Sequence, residues 1–361
     1  MRYLIISTYP AEGSRNIGDA LITRTTEDFL RLFDPSAEVA TLFRATKRED
    51  ALESISWADQ IIFACLALRG DLISVYPYIR DILSSNAQLS VIAAGTELEM
   101  MGADLTQRGF TDADKKLVKE LALLSKVFST RGILTQAFLE SLGVIGPCYA
   151  GDVAFGVEGR KFGKTPSVKK IVISDPHKAR HYLPVFKGLV REARDSFAQS
   201  RLICALHGEN PLVEETCDSL GIESVSIFKN PDAGLAIYDD CDLHLGFRVH
   251  GHVSALSRGI PSYILEQDGR GADYGVSLGL RVSNPCFLEK KRGGLHGALK
   301  NLKRSDRNFS SVAPASALQS LMAMVRYHAK SEFLVFEAMN PIIEHIRAQN
   351  KYLFAQICAR V

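Results

Sequence analysis

Cysteine pairs of the kind that bind zinc are missing from this sequence. Its 361 residues include seven scattered cysteines, and no two of them form a CxxC pair. This spacing argues against a zinc site and against a disulfide framework. We therefore expect buried thiols in a reducing compartment and a reaction that uses no metal.

Long apolar runs are also missing, and neither sign of charge is in strong excess. No stretch reaches the roughly 18 consecutive apolar residues that a membrane span needs. The first seven residues read as a strand and not as a signal peptide, so we expect a cytoplasmic protein. The formal net charge of +2 is too small to indicate a nucleic-acid partner.

Apolar runs and amphipathic stretches alternate in the first part of the chain. The runs predict strands at residues 2–8, 39–43, 60–64, 89–94 and 126–129. The stretches predict helices at residues 17–33, 71–83, 112–124 and 134–142. This alternation indicates a mostly parallel sheet covered by helices on both faces, which is a Rossmann-like unit.

A second alternating pattern follows the polar segment 158–167, which we interpret as an interdomain linker. The predicted strands are residues 170–174, 202–206, 224–228, 242–245 and 262–265. We therefore predict two α/β domains with a cleft between them, at residues 1–160 and 161–315. Residues 316–361 form a helical tail that is expected to break at Pro341. The tail either packs back on the first domain or forms a surface for a homo-oligomer.

The segment Arg248-Val249-His250-Gly251-His252 lies between an apolar run and a helical pattern. In open α/β sheets, ligands bind at the carboxyl ends of the strands, and a helix N-terminus there favours anions. We therefore predict that Arg248 binds an anion. His250, which is expected to titrate near neutrality, is a candidate acid or base, whereas His252 need not share its orientation.

Three segments of the first domain carry further candidates. Gly18 allows close backbone approach, while Asn16 and Asp19 either cap the first helix or contact a ligand. Since this segment is not GxGxxG, a nicotinamide dehydrogenase is disfavoured. Arg131 either offers a bidentate fork to an anion or caps a carbonyl. Asp152 either orients a substrate hydroxyl or caps a turn.

The second domain adds weaker candidates beyond the segment at 248–252. His177 and His207 each follow a predicted strand, although a lone histidine is more often structural. Glu266 and Arg270 follow the next strand, where they would hold a sugar or ribose hydroxyl and a phosphate. The basic residues between 290 and 304 are interpreted as a solvated face, and a contact with an anionic lipid-linked acceptor at a membrane is left open.

Several of these segments recur in one order along the chain. They are Asn16-Ile17-Gly18-Asp19; Ser129-Thr130-Arg131 followed by Leu142-Gly143 and Gly151-Asp152-Val153-Ala154-Phe155; and the segment from Asp242 through Gly246-Phe247-Arg248-Val249-His250 to Gly259-Ile260-Pro261. In this ordered set the chain resembles the polysaccharide pyruvyl transferase family. It differs from many members at residues 63–68, where they have a glycine-rich turn, and at Val249, where they have leucine.

The resemblance implies a GT-B-like pair of Rossmann domains in an enzyme of polysaccharide or exopolysaccharide biosynthesis. The enzyme would transfer a pyruvyl group from phosphoenolpyruvate to two hydroxyls of a sugar or lipid-linked glycan as a ketal. It would need no cofactor besides this donor substrate. Arg131 and Arg248 would anchor the donor. Further donor contacts would come from Asn16, Gly18 and Arg270.

The chemistry of this transfer, set against the residues themselves, suggests which groups move protons. His250 would protonate the vinyl methylene, and Asp152 or His177 would act as the base on the sugar hydroxyl. The acceptor would be bound by Asp19, Glu266 and His207.

Two other functions fit the same architecture. A nucleotide-sugar glycosyltransferase would use Arg248 for a diphosphate and Glu266 for a ribose. A catalytically inactive, glycan-binding relative would bind saccharide without releasing phosphate. Fold alone does not separate these functions.

Overall fold

The computed structural model describes residues 1–9, 16–96, 110–290 and 311–359. Two parallel sheets, one in each half of the chain, dominate these residues. In the first strand, Leu4 and Ile6 pack on one face of the sheet while Tyr3 and Ile5 pack on the other. Burial on both faces explains why this strand reads as a continuous apolar run. The predicted α/β class is confirmed.

The first sheet has the order β2-β1-β3-β5-β6-β7, with β4 paired to β5, and all its pairs are parallel. Its strands are β1 (Arg2–Ser7), β2 (Glu38–Phe43), β3 (Gln60–Ala64), β4 (Ala67–Leu68), β5 (Gln88–Thr96), β6 (Ser125–Thr130) and β7 (Cys148–Tyr149). The five predicted strands are confirmed. The two-residue strands β4 and β7 are too short to leave a periodic signal.

The helices of the first half are α1 (Ile17–Phe33), α2 (Arg48–Trp57), α3 (Leu72–Val75), α4 (Ile79–Ser84), α5 (Asp112–Leu124) and α6 (Ile133–Ser141). The single helix predicted at 71–83 is wrong. Pro77 lies between α3 and α4, and proline disfavours helix continuation through the residue before it. Helix α2 was not predicted because only Ala51 and Ile55 of its ten residues are buried.

The second sheet has the order β10-β9-β8-β11-β12-β13, again with parallel pairs. Its strands are β8 (Lys170–Ser174), β9 (Arg201–Leu206), β10 (Glu223–Ser226), β11 (Leu243–Gly246), β12 (Ser262–Glu266) and β13 (Ser283–Pro285). The helices are α7 (Ala179–Ser196), α8 (Pro211–Leu220), α9 (Pro231–Gly234), α10 (Val249–Ser257) and α11 (Gly269–Ser277). A short hairpin pairs β14 (Glu289–Lys290) with β15 (Ser311–Val312). All five predicted strands of this half are present.

The C-terminal tail divides between the two halves of the molecule. Helix α12 (Ala315–Ala329) packs against α7 and β12, whereas α13 (Asn340–Cys358) crosses back to α1. The rings of Phe354 and Phe29 stack with centroids 4.8 Å apart. Of the two alternatives for the tail, the described residues therefore show packing back on the first half.

The break expected at Pro341 lies earlier in the chain. Glu332 and Phe333 have φ values of +54° and +59°, which interrupt the helical backbone. Pro341 instead occupies the first turn of α13, where its missing N–H would have no partner in the helix.

Within the described ranges, no helix has the length and apolar character that would let it cross a membrane. The basic residues from 291 to 304, for which a contact with a lipid-linked acceptor was left open, lie outside those ranges.

Removing the stacked ring of α13 tests the docking of the tail. Phe354 is fully buried, so Phe354→Ala should lower the free energy of unfolding by about 3–5 kcal/mol. Tyr352→Ala is the control, because this ring is 60% exposed on the same helix, and it should cost less than about 0.5 kcal/mol. Equal losses in urea denaturation would contradict the docking.

Candidate functional site

A cavity of about 440 Å³ lies where the carboxyl ends of both sheets meet. Residues following β1, β2, β3 and β6 line it from the first half, and residues following β8, β9, β11 and β12 line it from the second. The predicted site residues among them are Asn16, Asp19, Arg131, His177, His207, Arg248, His250 and Arg270. The sheet-edge argument thus brings most of the candidates to one place.

Arg248 is held by a buried carboxylate. It is the N-cap residue of α10, and its Nε and Nη2 donate to the Asp175 oxygens Oδ1 and Oδ2 at 3.0 and 2.7 Å. The Arg248 side chain is 16% exposed and that of Asp175 is fully buried. Bidentate geometry of this kind fixes the direction of the guanidinium plane.

Asp175 also organises its surroundings. Its Oδ1 accepts the backbone N–H of His207 at 3.0 Å, and its Oδ2 accepts an amide hydrogen of Asn210 at 2.7 Å. Sequence reasoning selected His177, two residues further on, but did not select Asp175. The signal was present, since an acidic residue directly follows a buried strand at the edge where ligands bind.

A chain of hydrogen-bonded, buried hydroxyl and imidazole groups supports the turn from β11 to α10. The Ser174 hydroxyl accepts the backbone N–H groups of Phe247 and Arg248 at 3.0 and 3.1 Å. His244 bonds both this hydroxyl and that of Ser262, and Ser262 in turn bonds His252. Burial lowers the pKa of His252 to about 3. His252 is therefore part of the framework and does not line the cavity.

Arg131 reaches the cavity from the first half. Its side chain is packed over Gly95, where an added β-carbon would lie 1.8 Å from Nε. Arg131 is only 6% exposed, and its Nε has no hydrogen-bond partner within the described part of the chain. A buried guanidinium with an unused donor is suited to binding an anion.

His250 packs against the first turn of α1. A β-carbon at Gly18 would lie 2.0 Å from Nδ1, so only glycine leaves room for the ring. Burial lowers the pKa of His250 to about 4; Asp152 opposes this shift and the nearby arginines, Arg131 among them, support it. The expectation of titration near neutrality is therefore wrong for the unliganded protein. The imidazole is neutral at pH 7.

The start of α1 contributes a cap and a carboxylate. Asn16 lines the cavity while its Oδ1 accepts the N–H of Gly18 at 3.1 Å, so it is an N-cap residue. Burial raises the pKa of Asp19, although a hydrogen bond from Thr8 and the charges of several arginines act in the opposite direction. Asp19 is thus a carboxylate surrounded by cations.

The other residues chosen from the sequence occupy different positions. Asp152 is fully buried; its Oδ1 accepts the N–H of Ala154 at 2.8 Å and its Oδ2 accepts the hydroxyl of Tyr274. It caps the short 3-10 helix that follows, which is the turn-capping role that the sequence analysis gave as one of two alternatives. Glu266 is buried and accepts the Ser283 hydroxyl at 2.5 Å, away from the cavity lining.

His177 and His207 both line the cavity but differ in environment. His177 is exposed by surface area, but partial desolvation of its ring at the cavity and neighbouring cations, Arg248 and Arg270 among them, lower its pKa. The ring of His207 is buried, with Nε2 2.7 Å from the Tyr238 hydroxyl and with Nδ1 unpartnered within the described residues.

Positive charge exceeds negative charge around the cavity. Among the described lining residues, the cations are Arg44, Arg69, Arg131, Lys178, Arg248 and Arg270, and the carboxylates are Asp19, Glu209 and Asp268. Sequence reasoning missed the basic residues at 44, 69 and 178, although each follows closely on a strand. The excess of cations favours an anionic ligand.

Cys65 lies just after β3, in the segment 63–68 where the resemblance led us to expect a glycine-rich turn. It lines the cavity with φ of +57°, a conformation that glycine adopts at lower cost. The turn therefore keeps the backbone shape expected of glycine while adding a side chain. Burial raises the pKa of the Cys65 thiol, which favours its neutral form.

Two parallel α/β domains that face each other across a cleft, with a C-terminal helix returning to the first domain, define a GT-B fold. The chain belongs to the polysaccharide pyruvyl transferase family, whose sequence profile matches residues 16–269. No curated protein shows a significant sequence match.

Solved structures agree on the fold. UDP-GlcNAc 2-epimerase from Neisseria meningitidis bound to UDP-GlcNAc aligns with a TM-score of 0.52 at 11% identity, over 94% of each chain. A putative UDP-N-acetylglucosamine 2-epimerase from Listeria monocytogenes aligns with a TM-score of 0.51 at 13% identity, over 92% of this chain and 97% of the other. At such identities the likeness shows architecture alone.

Neutralising Asp175 tests whether it holds Arg248. Asp175→Asn leaves a mostly buried guanidinium without its counter-charge, so the free energy of unfolding should fall by about 3–5 kcal/mol. Asp240→Asn is the control, because Asp240 is 73% exposed in its pair with Lys170. The control should cost less than about 1 kcal/mol in the same denaturation experiment, and similar losses for both variants would contradict the assigned role.

Proposed function

We propose that the protein transfers a pyruvyl group from phosphoenolpyruvate to two hydroxyls of a sugar or glycan, forming a cyclic ketal. One observation carries this proposal. Four buried nitrogens without partners in the described residues belong to side chains that line a single cavity: Arg131 Nε, His207 Nδ1, His250 Nε2 and Gln267 Nε2. Buried polar groups are rarely left unpaired in native proteins. That all of these residues line one cavity, together with family membership, supports an anionic ligand bound there.

The charges of the donor suit the residues around the cavity. Phosphoenolpyruvate carries a phosphate and a carboxylate, and it needs cationic contacts for both. Arg248 is held by Asp175 and Arg270 by Asp268. In our proposal these two side chains bind one end of the donor from the second domain, and Arg131 binds the other end from the first. Donor binding would then favour the closed cleft.

The reaction balances without a cofactor. The methylene carbon of phosphoenolpyruvate gains a proton, and the first sugar hydroxyl adds to the adjacent carbon. Phosphate then leaves with the electron pair of its C–O bond, and the second hydroxyl closes the ketal. Of the two hydroxyl protons, one balances the proton on the new methyl group and the other leaves with phosphate.

We assign the proton donor to His250, whose ring becomes protonated only when the donor binds. The imidazole is neutral in the free protein because its pKa is about 4. A phosphate and a carboxylate bound beside it favour the charged form and raise this pKa. The protonated ring can then deliver its proton to the methylene carbon, a role typically worth about 10²- to 10⁴-fold in rate.

The base on the acceptor hydroxyl is best assigned to Asp19. This carboxylate lines the cavity, whereas both oxygens of Asp152 already accept hydrogen bonds. Burial raises the pKa of Asp19, which increases its affinity for a proton. His177, exposed at the same cavity, is the second candidate. We place the acceptor sugar beside Asp19 and His207.

Calorimetry with phosphoenolpyruvate tests the donor. Wild type should bind it, and Arg131→Met should weaken binding by about 10- to 100-fold, since a hydrogen bond to a charged group is worth about 1.5–3 kcal/mol. Arg31→Met is the control, because Arg31 is 52% exposed on α1 and pairs with Glu27. The affinity of this variant for phosphoenolpyruvate should equal that of wild type.

UDP-GlcNAc serves as the competing ligand in the same experiment. Tight binding of the nucleotide sugar with none of phosphoenolpyruvate would reverse the assignment in favour of a glycosyltransferase. Saccharide binding without phosphate release in wild type would identify an inactive glycan-binding relative.

Proton uptake on binding tests the role of His250. A group with a pKa of about 4 in the free protein and a higher pKa in the complex takes up a proton at pH values between the two. At pH 6, wild type should therefore take up more protons on binding phosphoenolpyruvate than His250→Gln does. Calorimetry in buffers of different ionisation enthalpy measures this difference, and equal uptake would exclude the proposed shift.

A further inference from the structure

The second domain caps a helix of the first domain. Helix α6 begins two residues after Arg131, and its N-cap residue is Gly132, which has no side chain to accept hydrogen bonds. The carboxylate of Asp273 in α11 accepts the backbone N–H groups of Leu134 and Thr135 at 2.8 and 3.2 Å. It also accepts the hydroxyl of Thr135 at 2.5 Å.

Ser277, one turn further along α11, completes this contact. Its hydroxyl accepts the N–H of Ile133 at 2.8 Å. The first amides of a helix lack partners within the helix, and a nearby side chain normally supplies them. We call Asp273 and Ser277 the interdomain cap, because they satisfy these amides from the opposite domain.

The interdomain cap is well protected from water. Asp273 is 1% exposed and Ser277 is 9% exposed. A carboxylate at a helix N-terminus is favourable, and low solvent access strengthens that interaction. If the two domains separate at this contact, the carboxylate and the Ser277 hydroxyl leave and three amides of α6 lose these partners. Domain opening and the conformation at the start of α6 are therefore linked.

The interdomain cap lies directly beside Arg131. A β-carbon at Gly132 would be 2.0 Å from Asp273 Oδ1, so the backbone after Arg131 is in close contact with the carboxylate. The backbone N–H of Arg131 donates to the carbonyl of Ala94 at 2.9 Å. The charges of Asp273 and Arg131 also attract each other. The main chain of Arg131 is thus fixed on one side by β5 and on the other by the second domain.

We propose that Asp273 is a positioning residue, which couples closure of the two domains to the orientation of Arg131 in the cavity. The identity of the ligand rests on the function proposed above, but the coupling does not. An anion held by Arg131 and Arg248 favours the closed cleft, and the closed cleft orders Arg131 through Asp273. By linkage, loss of the cap weakens anion binding.

A neighbouring contact keeps α11 near the first domain when Asp273 is changed. The hydroxyl of Tyr274 donates to the buried Asp152 carboxylate. We therefore expect Asp273→Asn to fold, with α6 and Arg131 less well ordered.

A double-mutant cycle separates positioning from general stability. Phosphoenolpyruvate affinity is measured by calorimetry for wild type, Asp273→Asn, Arg131→Met and the double variant. Asp273→Asn should weaken binding by about tenfold or more. The same change in the Arg131→Met background should have little further effect, because Asp273 acts through Arg131.

Asp114→Asn is the matched control. Asp114 caps α5 within the first domain, where it accepts the N–H groups of Thr111 and Leu72 at 2.9 and 3.0 Å. Its loss should lower Tm and leave phosphoenolpyruvate affinity unchanged.

Gly132→Ala provides a second test, because the added methyl group displaces the Asp273 carboxylate. This variant should weaken binding as Asp273→Asn does.

The results of this cycle distinguish a failure of the coupling from a failure of the proposed function. Wild-type affinity in both Asp273→Asn and Gly132→Ala, or an equal penalty for Asp273→Asn with and without Arg131, would overturn the coupling. If wild type does not bind phosphoenolpyruvate, the proposed function fails. The cycle is then run with inorganic phosphate as the probe, where the same two results decide the role of Asp273.

Discussion

Burial of an arginine from each domain at one cavity is the constraint on which the site depends. Charged groups that leave water need a counter-charge or strong hydrogen bonds. Arg248 meets this need inside the protein, through its bidentate pair with Asp175. Arg131 is more deeply buried, yet its Nε lacks a partner in the described residues. One guanidinium is therefore paired within the protein, whereas the other keeps an unpaired nitrogen in the described residues, which our proposal assigns to the ligand.

The two domains hold their arginines, Arg248 and Arg131, in place in different ways. On the second domain, the Ser174 hydroxyl and the buried histidines behind it fix the turn that carries Arg248 and His250. On the first domain, the start of α6 depends on Asp273 of the opposite domain. One half of the site is thus held within its own domain, while the other depends on a contact with the opposite domain. This asymmetry fits the two-domain architecture, in which ligands bind between lobes.

Much of the fold could be predicted from the sequence, because strands buried on both faces give continuous apolar runs. The predictions failed where the signal is local or weak, as at Pro77, which divides a predicted helix, and in α2, which buries few residues. The carboxyl-edge rule also brought Arg131 and Arg248 to one cavity. It could not show that Glu266 turns away towards Ser283, since that depends on packing between elements.

Partners from distant parts of the chain were beyond sequence reasoning. Asp273 contacts α6 across more than a hundred residues, and no local pattern marks it as a cap. Likewise, the low pKa of His250 comes from burial and from arginines on other elements. Sequence shows which residue types follow each strand, whereas tertiary structure decides their charge state and their neighbours.

The most direct test of the account is a crystal structure of the protein with phosphoenolpyruvate bound. We predict that Arg131 and Arg248 both lie within hydrogen-bond distance of oxygens of the same donor molecule, with His250 Nε2 facing its methylene carbon. A donor that contacts only one domain, or that binds outside this cavity, would contradict the account.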